Sequence, residues 1–154
     1  MYTTFLVIHS ILRWLVLLAI VVAAGKALMG WFGKHTWGKL DDRLGLIVTG
    51  LMDVQFLVGL ILYIFLSPLT ATAFQNFGVA MQDTVLRFFA VEHISVMLAA
   101  VVLAHVGRSL SKRAAADAAK FQRAGIFFAL SLVAILVGIP WFRSLNPFHS
   151  LLGG

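Results

Sequence analysis

The chain has 154 residues, 61% hydrophobic and 12% charged, with a mean hydropathy of +0.98. A soluble domain carries about a quarter charged residues, so this composition indicates an integral membrane protein. The absence of cysteine excludes disulfides, thiolate ligands and iron–sulfur clusters. The net charge of +6 sits beside apolar runs rather than on a separate domain, which argues against nucleic acid as a partner.

Four apolar segments occur in order, over about residues 4–28, 44–66, 85–106 and 121–141. Each is near the roughly 20 residues a helix needs to cross the hydrocarbon. The runs are continuous, without the alternation of barrel strands. The first has no basic residue before Arg13 and outruns a signal-peptide core, so it reads as a retained span. The 30–39 turn, rich in Gly, Trp and Lys, suits the headgroup region. Asp41 and Asp42 offer N-caps to the second helix. Ser67-Pro68 ends it, a weakly polar link over 69–82 runs along the interface, and Pro140-Trp141 and Pro147 close the fourth.

Lys34, Lys39 and Arg43 lie in the first connection, and Arg108, Lys112, Arg113, Lys120 and Arg123 around the third. By the positive-inside rule both connections are cytoplasmic and both termini outside. The expected fold is all-α: one integral membrane domain over 1–154, a four-helix up-down-up-down bundle, N-out and C-out.

The third segment holds Arg87, Glu92, His93 and His105; the first holds His9 and Arg13. Ionisable groups at this depth are expensive and face a partner. Two histidines on diagonally opposed helices at similar depth can provide both axial ligands of a b-type haem. Counted from the segment starts, however, His93 is several residues deeper than His9. The alternative makes His9 an interfacial residue and His93 a polar link between helices. Arg13 or Arg87 would meet the haem carboxylates, and Ala90, Ala100, Ala104, Gly50 and Gly59 would give the ring room. Arg13, Asp53 and Glu92 form a second group, expected to pair inside the bundle. It reads as a register-fixing ion pair, a quinone headgroup site or a path for protons or small solutes. His105 is expected on the surface; His35 and His149 have no evident role.

The stretch LVIHSILRWLVL over 6–17 and LRFFAVEH over 86–93 resemble small bacterial four-helix membrane proteins catalogued as cytochrome b-like. GLILY over 59–63 with Ser67-Pro68, and Gly138-Ile139-Pro140-Trp141, are similar too. The resemblance covers essentially the whole chain. It implies haem b and electron transfer, with His9 and His93 as the metal ligands. Relatives can carry a histidine near Asp53, and its absence here leaves two membrane histidines in the outer half. The expected function is electron relay to or from quinone in the bacterial inner membrane, as a multi-pass subunit of a larger respiratory or photosynthetic complex. Its partners would be the lipid bilayer and other membrane subunits or a second copy. No catalytic residue set is evident. The alternatives are a haem-free accessory subunit and a proton or small-solute carrier.

Overall fold

The computed structural model describes residues 1–143, so Pro147 and His149 lie outside the described residues. Every regular element among these is helical: α1 (Tyr2–Phe32), α2 (Lys39–Ile61), α3 (Pro68–Gln75), α4 (Phe77–Ala80), α5 (Thr84–Arg87), α6 (His93–Arg113) and α7 (Asp117–Gly138). Two widened π turns, Leu62–Leu66 and Phe88–Glu92, extend α2 and join α5 to α6. The result is four helices long and apolar enough to cross a membrane: Tyr2–Phe32, Lys39–Leu66, Thr84–Arg113 and Asp117–Gly138.

The first three run past the apolar segments, mostly at their basic ends. Backbone hydrogen bonding continues into the headgroup region as long as side chains cap it. At the start of α2 the cap is Gly38, not an aspartate. Asp41 instead occupies the first turn, accepts from the Gly38 N–H at 2.9 Å and pairs with Lys26 of α1. Trp37 Nε1 donates to Asp42 at 3.1 Å.

The four long helices form a closed ring. α1 packs on α2, α2 on α6, α6 on α7, and α7 back on α1, so α1 and α6 face each other across the diagonal. Contacts pair the early part of α1 with the late part of α2 (His9 with Gly59) and the late part of α1 with the start of α2 (Lys26 with Asp41). The ring closes on small residues: Ala23, Ala24 and Ala27 of α1, Ala100 and Ala104 of α6, and Ala124 of α7 are all buried. Lipid tails are as apolar as side chains, so close van der Waals approach between small residues is what holds such helices together. Phe121 is fully buried among them, and Ser131, also fully buried, donates to the Ala100 carbonyl at 2.8 Å.

The link expected along the interface contains the short helices α3 and α4. Pro68 has no N–H to continue α2. Ser67 therefore caps α3, accepting from Thr70 N–H, while the Thr70 hydroxyl donates back to the Tyr63 carbonyl at 2.8 Å. The Tyr63 side chain lies in the first π turn, and its hydroxyl donates at 2.7 Å to the carbonyl of Ala90 in the second. The two irregular turns are thus tied to each other. Tyr63→Phe removes that bond and should cost about 1 kcal/mol, read as a lower midpoint of unfolding in detergent.

Candidate functional site

A cavity of about 590 Å³ opens among the long helices near the start of α1. Its volume lies within the roughly 300–1,000 Å³ of small-molecule and cofactor sites. Each helix reaches it with one stripe at helical spacing: His9, Arg13 and Val16 from α1; Met52, Gln55, Phe56, Gly59 and Tyr63 from the second helix; His93, Met97 and Val101 from α6; Ile135 and Ile139 from the fourth. The mostly apolar lining with a few convergent polar groups is the usual composition of a ligand site.

His9 and His93 both line the cavity. Their ring centroids are 6.4 Å apart, with planes inclined at 69°. Both imidazoles reach the one cavity although their counted depths differ; α1 begins at Tyr2 and the helix leading to His93 passes through the π turn Phe88–Glu92. His93 lines the cavity while Glu92, about 100° away around the helix, is exposed and bonded to Arg87 Nε at 2.7 Å.

His93 is oriented by the end of the fourth helix. Gly138 closes α7, and its carbonyl is one of the terminal acceptors that a helix leaves without an intrahelical donor. Pro140, two residues on, prevents a simple continuation. That carbonyl lies 2.7 Å from His93 Nδ1. A carbonyl only accepts, so Nδ1 carries the proton and Nε2 presents a lone pair. A backbone acceptor fixing the tautomer is the arrangement metal-ligating histidines use.

His9 is held from the second helix. Gln55 Nε2 donates to the His9 carbonyl at 3.1 Å and lies 3.3 Å from His9 Nε2. Gly59, one turn on, leaves space for the imidazole, since a Cβ there would meet His9 Cε1 at 3.1 Å. His9 Nδ1 and Gln55 Oε1 are buried and have no hydrogen-bond partner among the described residues. A cavity with such atoms on its wall is incomplete as a purely structural feature, because orphaned buried polar atoms are costly.

The other expected site residues distribute unevenly. Arg13 lines the cavity and stands over the Trp14 ring, 5.4 Å from its centroid. Arg87 does not line it; besides Glu92, it donates to the Met81 carbonyl at 3.2 Å. Of the small residues expected to give room, only Gly59 borders the cavity. Ala100 and Ala104 belong to the central core, Ala90 to a smaller cluster with Ala73 and Ala80, and Gly50 is exposed.

The group of Arg13, Asp53 and Glu92 is not assembled. Asp53 accepts from His105 Nε2 at 2.8 Å, and Glu92 pairs with Arg87. His105 is surface-facing, as expected, but bonded to that aspartate. In their place the structure brings Gln55, Tyr63, Met97 and Arg143 to the cavity. Gln55, Gly59 and Tyr63, spaced by four, form a single helix face in the sequence, a signal by which two of them can be found.

Among the described residues no group of three or more His, Asp or Glu side chains could hold a metal ion. Two imidazoles alone are too few donors for a bare metal, so a metal between them must bring most of its own ligands. With 6.4 Å between the ring centroids, two imidazoles are a donor set that a haem would take, bringing the rest of its ligands itself.

Set against protein-family models, curated proteins and solved structures, the chain matches none.

Proposed function

We propose that the chain is a b-type haem protein of the bacterial inner membrane, with His9 and His93 as axial ligands. In this reading it relays electrons to or from quinone as a subunit of a larger respiratory or photosynthetic complex. The observation that carries the proposal is the 6.4 Å separation of two imidazoles on the wall of one cavity. Haem supplies one-electron chemistry in such a site. The residues of this chain do the rest.

The Gly138 carbonyl holds the His93 proton on Nδ1 and so aims Nε2 inward. Gln55 positions His9. Arg13 and Arg143, both on the cavity wall, offer cations to the two carboxylates of the porphyrin. Apolar neighbours such as Phe89, Ile94 and Leu60 keep water away, which is how a protein sets the potential of such a group.

A second reading has one specific observation in its favour. The buried, unpartnered His9 Nδ1 and Gln55 Oε1 also suit the carbonyl and hydroxyl groups of a quinone headgroup bound without haem. Reduced-minus-oxidised spectra of the purified protein distinguish the two. Sharp low-spin haem bands are expected; their absence from fully haem-supplied protein would overturn the haem assignment.

The orientation follows from the basic residues of the first and third connections. Reporter fusions near Lys39 and Lys112 should report cytoplasm, and fusions at the C-terminus the outside. The opposite labelling would put both histidines in the inner half of the membrane.

A further inference from the structure

Away from the cavity, the last turns of α6 carry a second recess of about 450 Å³. His105, Arg108, Ser109, Lys112 and Arg113 line it. The first four recur at helical spacing, so they share one helix face. None of the five is acidic. Basic residues near a helix end are ordinarily solvated and stabilise the terminal carbonyls, and three features here go beyond that.

Arg108 is held in place rather than free to sweep. Its methylenes cross the bare face of Gly45 on α2, where a Cβ would meet them at 3.6 and 3.7 Å. Its Nε is buried and has no hydrogen-bond partner among the described residues. Next, the helix-end carbonyl of Leu110 is already met, by Arg123 Nη1 at 3.1 Å, so that duty does not fall to the recess. Finally, the outer limit is fixed. His105 Nε2 bonds Asp53 Oδ1, and the exposed apolar side chains Val102 and Leu98 continue along the same helix toward mid-membrane.

We propose that this recess binds a phosphate ester of net negative charge, with Arg108 as the fixed guanidinium, Lys112 and Arg113 as mobile cations and Ser109 as a hydroxyl donor. A guanidinium with unused N–H groups matches phosphate geometry. A cationic recess flanked by an exposed apolar strip matches the headgroup and chain of an anionic phospholipid. The site is independent of the haem assignment.

The test uses the full-length protein in detergent, read by native mass spectrometry with phosphatidylglycerol, phosphatidylcholine or glycerol 3-phosphate added. Phosphatidylglycerol should be retained about tenfold more tightly than phosphatidylcholine, and Lys112→Gln with Arg113→Gln should abolish most of that preference. Both positions are exposed, so the fold does not depend on them. Arg108→Lys keeps the stem and the charge but removes Nε; it should weaken retention several-fold. Equal retention of the two lipids, or wild-type preference in the double variant, would overturn the proposal. Displacement of the lipid by glycerol 3-phosphate assigns the site to soluble phosphate esters, and its failure to displace assigns it to lipid; either result upholds phosphate-ester recognition.

Discussion

Replacing His93 by alanine should abolish the low-spin haem spectrum, and His9→Ala should leave haem five-coordinate or absent. The effect is large because, in the haem reading, each side chain would provide one of two protein ligands, and among the described residues the cavity offers no third histidine. The two variants should differ in a way the surroundings dictate. His93 is fixed by a 2.7 Å bond to a helix-end carbonyl, so its loss removes the better-oriented ligand. His9 is positioned by a side chain, Gln55, across the helix interface. Gln55→Leu should therefore weaken haem retention while keeping both ligands. His105→Ala should leave the spectrum unchanged, since that ring bonds Asp53 outside the cavity. An unaltered spectrum in His9→Ala would move the ligand role to another residue.

Phe121→Ala should be the most destabilising change at a single core position, by about 3–5 kcal/mol. The ring is fully buried. It fills the space that Gly30 leaves open on α1, lies 4.8 Å from Trp37 and has the Lys26 ammonium 5.8 Å from its centroid. Loss of the ring thus opens a void where α7, α1 and the first connection meet. Unfolding in a graded denaturing detergent should show it directly. A loss below about 1 kcal/mol would mean that the helices close over the gap, against the limited relaxation usual in packed interiors.

The helical class and the four candidate spans were legible because apolar runs of this length permit little else. The pair His9 and His93 was legible too, as ionisable groups on helices that the ring of contacts places diagonally. What hid the site's detail was the helix irregularity. The π turn at Phe88–Glu92 departs from the regular helix read through residues 85–106, and the bond from Tyr63 to Ala90 that ties it to the other π turn is a tertiary contact with no local signature. Asp53 misled for another reason. Its side chain meets His105 of α6, a residue read as surface-facing and so not expected as its partner.

The two π turns also bear on how such a chain can change length. Each holds the backbone of a single inserted residue, accommodated without breaking the helix. Deleting one residue within 88–92 would restore regular winding and leave the flanking turns near their present phase, because the widened turn is what absorbs the extra residue. The bond from Tyr63 to the Ala90 carbonyl would have to be remade, so a change of length in one turn is felt in the other, at Leu62–Leu66.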